Sequence, residues 1–560
     1  MALTWEKAGK VAASEPYYDL GEHTRTISTS NGDAQTWFNR GLNWAYSFNH
    51  QESAACFEQV IAHDPECAMG YWGVAFASGP NYNKVWRAFD KRGLTVSLAK
   101  CHTYSRKAEE LISTATPVEQ ALVGALAHRF PSAEAPNDFT PSVRAYADAM
   151  RQVHRRFGEQ DLDVIALAAD ALMNMAPWTL YQAQTGEPNL NTPVLEIRAF
   201  LERGMMLPGA RRHPGVLHMY IHLVEMSKTP EMAVKAADQL RDLVPDAGHL
   251  LHMPSHIDLL VGDYRRALHS NLKATIADDK YYAREGGKNF YSFYRMHNYH
   301  SLIYAAMMAG QAQAALEATS RMEATITEDM LLMDSPPMAN WLEFFKSVRV
   351  HVLVRFGMWD ELKKLPVPKN KELYCVTVAM THYGKAVAYA ATNDLANADR
   401  ERDIFRDAAS RVPPTRIDFP NKVVDELGVA TAMLDGEIEY RRGNYKVAFE
   451  SLRLAVARDD SLLYSEPWGW MLPTRHPYAA LLLEQGQVED AAELYAEDLG
   501  LTENLVRAHQ HPNNIWALRG YHECLVRLGR TAEARIIRKQ LTIAAAGADI
   551  KVEFSCFCRL

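Results

Sequence analysis

Apolar residues recur at three- and four-residue intervals along most of the chain, and alternating apolar–polar runs are almost absent. That periodicity predicts an all-α fold with few strands. LDGEIEYRRGNYKVAFESLRLAVARDD, YAALLLEQGQVEDAAELYAEDL and YHECLVRLGRTAEARIIRKQL each read as helix, short turn, helix. Their turns fall at Gly443, Gly486 and Gly529, 43 residues apart each time, with Ala448, Ala491 and Ala534 following. LLVGDYRRALHSNLKATI and LIYAAMMAGQAQAALEATSRM repeat the pattern at Gly262 and Gly310. Glycine lets a helix end in the left-handed region, and a small residue in the next helix lets the pair approach closely.

The earliest unit is AQTWFNRGLNWAYSFNHQESAACFEQVIAHDPECAMGYWGVAFA. A 34-residue frame from Ala34 puts Trp37, Gly41, Trp44, Phe57 and Pro65 near the positions that define a tetratricopeptide repeat, with Ser53 where a small alanine is usual. The expected architecture is a tetratricopeptide-like helical repeat solenoid (residues 34–545), curled around a central His-rich pocket. A leader (1–33) precedes it and a tail (546–560) follows. Loops are expected near 135–138, 189–193, 365–372 and 411–420, where Pro, Asn and Asp cluster.

Histidine changes the picture. Nine of the 21 histidines fall between His213 and His300. HPGVLHMYIHLVEMS spaces His218 and His222 four apart, with Glu225 three further on; GHLLHMPSHIDLL carries His249, His252 and His256; RMHNYHSLIYAAMMAG carries His297 and His300. At about 100° per residue each set shares one helix face, so three helices present histidine rows suited to a metal site. An isolated pair of this kind is usually a satisfied core or surface feature, and unliganded burial of seven rings would cost on the order of 1–3 kcal/mol per unsatisfied nitrogen. Pro254, between His252 and His256, either kinks that helix or begins a new one.

Composition narrows the classes. At 560 residues, 48% hydrophobic, the chain can bury a large core. The net charge of −8 comes with no basic stripe, which argues against nucleic acid. No run of 18 apolar residues is present and the first twenty residues lack an apolar signal core, so neither a membrane span nor a secretory signal is expected. Seven cysteines, mostly scattered, fit a reducing compartment, and the expected location is intracellular and cytoplasmic. Cys558-Arg559-Leu560 has the form of a peroxisomal address, an alternative location, and Cys556 with Cys558 forms a CxC that weakly suggests a soft metal.

Other constellations are less specific. His50 and Glu52 follow Asn49, a candidate helix cap; His50 is either an acid–base group or part of a helix-start polar cluster. Asn81 and Asn83 lie in a turn. Asp170, four residues before Asn174, is either a carboxylate of the site or a solvated helix face. Glu466, Trp468, Trp470, Arg475 and His476 share a connection that serves either as a pocket wall or as a plug between repeats. No phosphate-binding loop, GxSxG, HExxH or CxxC occurs.

FNHQESAACFEQVIAHDPECAMGYWGVAFASGPNYN, HPGVLHMYIHLVEMS, GHLLHMPSHIDLLVGDY, MHNYHSLIYAAMMAG, VLVRFGMWDELKKLPVP and YSEPWGWMLPTR resemble a bacterial and fungal family of tetratricopeptide-repeat proteins with His-rich motifs. The likeness spans about residues 35–545; the HNYH element is more distantly similar to tetratricopeptide repeat protein 38. The resemblance implies an all-α repeat array and says little about activity. Asp170 stands where those relatives tend to have Glu.

The site expected from these residues binds one or two transition-metal ions through His218, His222, His249, His252, His256, His297 and His300. Glu225, Asp170 and His50 are its catalytic candidates. Imidazole suits copper, iron or zinc rather than calcium or magnesium. Copper or iron ranks first, giving an oxidoreductase acting on a small organic substrate with O₂, with a place in secondary metabolism as one setting. The alternatives are a zinc hydrolase and a non-enzymatic repeat scaffold with a structural metal, which would bind a protein partner through the repeat surface.

Overall fold

The computed structural model describes residues 9–559. They form α-helices joined by short turns, and the one sheet among them is a two-residue antiparallel pair, Ile417–Asp418 with Asn421–Lys422, inside the loop expected near 411–420. No helix among the described residues is long and apolar enough to cross a membrane. The chain divides into two compact units. The first is Met1–Ile257 with Lys273–Gly286, and the second is Asp258–Leu272 with Gly287–Leu560.

The first unit begins with the helix Gly32–Tyr46, capped by the Asn31 side chain, then His50–His63 and Ala68–Ser78. Their spacing depends on two glycines. A Cβ on Gly41 would stand 2.8 Å from the Phe57 ring, and one on Gly73 would stand 2.3 Å from it. Phe57 is wholly buried between them. Ser53 also fits, because its hydroxyl donates to the Gly41 carbonyl at 2.7 Å in a fully buried position. The segment ahead of the first helix is tied down. Trp37 Nε1 donates to the Val11 carbonyl, Arg40 to that of Ala13, and Arg25 forks onto Asp161.

The second unit is a succession of helix pairs: Tyr291–Met308 with Ala312–Thr325, Cys375–Ala391 with Leu395–Ser410, Val423–Arg441 with Tyr445–Asp459, Arg475–Glu484 with Val488–Asp498, and Ile515–Arg527 with Thr531–Ala545. The turns at Gly310, Gly443, Gly486 and Gly529 have φ between +69° and +85°, as does Gly262. Asn393 takes the same role between Ala391 and Leu395 at φ +61°, a conformation Asn tolerates. The tail packs back on this unit. Asp549 accepts from the backbone N–H groups of Ala312 and Gln313, and Arg559 pairs with Glu523 at 2.8 Å. Cys556 and Cys558 are joined by a disulfide. Leu560, the last residue of the tripeptide address, lies outside the described residues.

Two glycine replacements in the first unit should act in opposite directions. Gly73→Ala pushes a methyl into Phe57 and should cost about 1–3 kcal/mol. Gly124, inside the helix Pro117–Arg129, has nothing within 4 Å of its added Cβ. Gly124→Ala should therefore stabilise by about 0.5–1 kcal/mol through helix propensity. Urea midpoints of the two variants check this, and a stable Gly73→Ala would contradict the close packing described.

Candidate metal site

Two chain segments of the first unit carry the histidines. The helix Pro214–Val224 starts with proline at its first position and is capped by His213, whose Nδ1 accepts from the Val216 N–H at 3.1 Å. His218 and His222 follow on one face, and Glu225 continues that face at the C-cap. The second segment is the helix Gly248–His252, with His249 and His252, followed by Pro254–Leu260 with His256. Pro254 begins a new helix. Met253 between them keeps right-handed helical angles (φ −50°, ψ −38°), so His256 is not turned away. His252 Nε2 and His256 Nε2 stand 2.8 Å apart.

Hydrogen bonds fix three of these rings. His218 Nδ1 donates to the Tyr46 carbonyl at 2.7 Å, an otherwise orphaned acceptor at a helix C-terminus. The Glu225 carboxylate takes the other two, His222 Nδ1 at 2.8 Å on one oxygen and His256 Nδ1 at 2.5 Å on the other. A carbonyl and a carboxylate can only accept, which assigns the hydrogen to Nδ1 and leaves a lone pair on each Nε2. His249 Nε2 lies 3.2 Å from His218 Nε2. The five rings are at most 1% exposed and Glu225 is fully buried. Ligand atoms of His218, His222 and His249 lie within 4.8 Å of one another, as do those of His222, Glu225 and His256. Burial pushes His222 down to about 3, and burial with the neighbouring His222 holds His218 well below the ordinary imidazole range. His222 Nε2 is buried and makes no hydrogen bond among the described residues. His218 and His222 are therefore neutral nitrogen donors.

Aromatic residues wall the site; the sequence shows Trp and Tyr crowding the histidine motifs but does not single out the three that do so. The Phe48 ring lies 4.6 Å from that of His218 and stacks on His222 and His249 at 5.9 and 5.4 Å. Tyr82 lies 5.2 Å from His222, and Trp178, stacked on Tyr82, meets His222 edge-on at 6.1 Å. Phe48 and Trp178 have φ +57° and +61°. Among the described residues, the other non-glycine residues in that region are Asp or Asn, for which it is tolerable. Both bulky residues held there touch His222, and each such strain costs on the order of 1–3 kcal/mol. The only signal in the sequence is a phenylalanine following the first helix where a repeat turn would ordinarily hold glycine.

Another buried network supports Tyr46. Asp163 accepts from Tyr46 Oη at 2.6 Å, from His23 and His213 Nε2 at 3.0 Å each, and from Arg25 at 3.0 Å. Burial opposes the charge, but the bonds from His213 and His23 hold this carboxyl well below its ordinary range. The network anchors the residue whose carbonyl orients His218.

The remaining candidates lie elsewhere. His50 Nδ1 faces the Gly79 carbonyl at 3.3 Å, and its ring stands 6.3 Å from that of Phe48. Asn49 caps its helix by accepting from the Glu52 N–H. Asp170 is buried, accepts from Asn174 at 3.1 Å and has a second oxygen without a partner; burial raises it to about 6, with Arg129 and Asn174 holding it back. The solvated-face alternative for Asp170 is therefore excluded. Asn81 serves its turn, accepting from the Asn83 and Lys84 N–H groups.

His297 and His300 belong to the helix Tyr291–Met308 of the second unit. The His297 ring stacks near Phe293 at 6.3 Å. His300 Nε2 is 3.0 Å from Met471 Sδ and lines a small cavity of about 20 Å³, with His351, Asp418, Glu426 and Trp470. That is room for one water. Burial pushes His300 and His351 down to about 3; burial holds Asp418 and Glu426 well above the carboxylate range, with repulsion from Glu466 added at Asp418 and from Asp418 at Glu426. Trp470 is thus a pocket wall, whereas Arg475 and His476 are engaged with Asp460 and Asp498 at 2.6 and 2.8 Å.

No protein-family model matches the chain, and no curated protein matches its sequence. It shows weak similarity to solved helical structures. One is that of the APC/C hetero-tetramer Cut9-Hcn1, at 12% identity over 85% of this chain and 74% of that one, TM-score 0.29. A second is Ypp1, at 10% identity over 97% and 68%, TM-score 0.36. A third is yeast Tom70, at 10% identity over 91% and 92%, TM-score 0.27.

His50 is a poor acid at neutral pH, because burial pushes it down to about 3. Its ring resonance in an NMR titration should stay unmoved between pH 8 and pH 5. A midpoint near 6.5, the ordinary value for histidine, would contradict its burial and restore it as an acid–base candidate.

Proposed function

We propose that the first unit is built around a buried transition-metal site, with His218, His222, His249, His252 and His256 supplying Nε2 ligands to one or two ions. The observation that carries this reading is Glu225, which accepts from the Nδ1–H of two histidines at once. A buried carboxylate that fixes the tautomer and direction of imidazoles is the usual outer support of metal-bound histidine. Copper remains the favoured ion, with iron and zinc as alternatives. Imidazole nitrogens suit any of the three, and the bound ion would supply Lewis-acid or redox chemistry beside the aromatic wall.

In this reading the chain is a helical-repeat protein that holds a metal, and the ion would add to the hydrogen bonds and packing that already join these helices. A second reading, oxidation of a small organic molecule with O₂, is favoured by one observation. A cavity of about 450 Å³ is lined by Pro80 and Pro177, the near neighbours of Tyr82 and Trp178, whose rings rest on His222.

Protein purified without a polyhistidine tag should carry near-stoichiometric copper, iron or zinc. His222→Ala should lose it while helicity is retained. Glu225→Gln should weaken metal binding by about 10–100-fold, because an amide cannot accept from both rings. Unchanged metal content in both variants would overturn the site. Oxygen uptake with phenols and amines, after separate reconstitution with copper, iron and zinc, divides the two readings. A lower melting temperature on metal removal with no oxygen consumption supports the scaffold, and turnover with zinc alone and without oxygen replaces oxidation with hydrolysis.

A further inference from the structure

We propose that the cavity of the first unit between Trp86 and Arg129 binds a small aromatic carboxylate. Its volume of about 450 Å³ is that of a small-molecule site. Most of its wall is apolar or aromatic, with Trp86, Phe139, Tyr146 and Met175 prominent, and Trp86 stacks on Phe139 at 4.9 Å. A wall of this kind accommodates a ring.

Two donors within that wall lack acceptors. Arg129 is 4% exposed; its Nη2 donates to the Pro80 carbonyl at 2.9 Å, but its Nη1 is buried and has no partner. Trp86 is 6% exposed, and its indole Nε1–H is likewise buried without a partner. Each unsatisfied donor costs on the order of 1–3 kcal/mol, more for a charged group. The guanidinium is also held in place, lying 4.8 Å over the Tyr146 ring. Asp170 feels its charge, but no hydrogen-bonded ion pair joins them among the described residues, and that carboxyl turns an oxygen to Asn174. A carboxylate matches the charge of the guanidinium and accepts from N–H donors of this kind. Arg87 and Arg144 also line the cavity, as does Asp138, so inorganic phosphate is the competing anion that the test includes.

The test does not depend on the metal, because metal-free full-length protein is used and binding is the readout. Isothermal titration with 3-phenylpropionate and indole-3-acetate should give saturable one-to-one binding, and their primary amides should bind at least about tenfold more weakly. Arg129→Lys loses the planar fork and should weaken the acids by about tenfold or more. Trp86→Phe keeps the wall, removes the N–H and should weaken them severalfold. If Arg129→Lys fails to fold, judged by circular dichroism, Trp86→Phe decides. Equal binding of acids and amides, unchanged affinity in the folded variants, or no binding of the acids at millimolar concentration would overturn the proposal. So would inorganic phosphate binding in place of the acids.

Discussion

Glu225 is a carboxylate without solvent contact, and each of its oxygens accepts from a different buried imidazole. A buried carboxyl group left without partners would be costly, so its place depends on keeping both hydrogen bonds. The requirement propagates outward. His222 must lie one turn before Glu225 on the same helix, and His256 must face back from another helix. That leaves their Nε2 atoms directed away from the carboxylate. A carboxylate that only neutralised a charge would not need two ring N–H donors. One that aims two lone pairs does.

The same logic explains why so much of the first unit is tied to one helix end. Tyr46 closes the helix Gly32–Tyr46, and its carbonyl takes the His218 N–H while its hydroxyl is held by Asp163. Asp163 in turn gathers Arg25 and His23 from the segment ahead of the first helix. Phe48, two residues beyond Tyr46, is forced to φ +57° and laid across three imidazoles. A glycine there would remove the strain and also the ring, so the strain of about 1–3 kcal/mol marks where packing around the histidines overrides turn preference.

The repeat architecture was legible in the sequence because it rests on local rules. Glycine at a left-handed turn and apolar residues every third or fourth position need no knowledge of distant contacts, so Gly310, Gly443, Gly486 and Gly529 mark their turns. The pairings His218 with His222 and His252 with His256 were legible for the same reason, since helical spacing alone puts them on one face. Glu225 could be selected, but not its part: only the fold shows that its oxygens are taken by two rings. Phe48 and Trp178 were hidden because nothing in a single sequence marks a bulky residue at positive φ. Trp86 and Arg129 stand 43 positions apart, and their shared cavity depends on tertiary packing alone. The surroundings of His300 were hidden for the same reason, since Met471 is 171 residues away.

The two units bury polar groups by different means. In the first, Asp163 stays charged because ring N–H, hydroxyl and guanidinium donors face it, and Glu225 takes a ring N–H on each oxygen. In the second, Asp418 and Glu426 have no ion-pair partner among the described residues, each has an oxygen without a hydrogen bond, and both are held well above the ordinary carboxylate range. Near neutral pH those carboxyls keep their protons, and the neighbouring His300 and His351 stay neutral. A carboxylate charge beside imidazoles, as at Asp163, favours a cation. His300 and His351, beside neutral acids and a thioether, lack it. A histidine row shows the helix face it occupies; the protonation of the carboxyl groups around it decides whether that face attracts a metal.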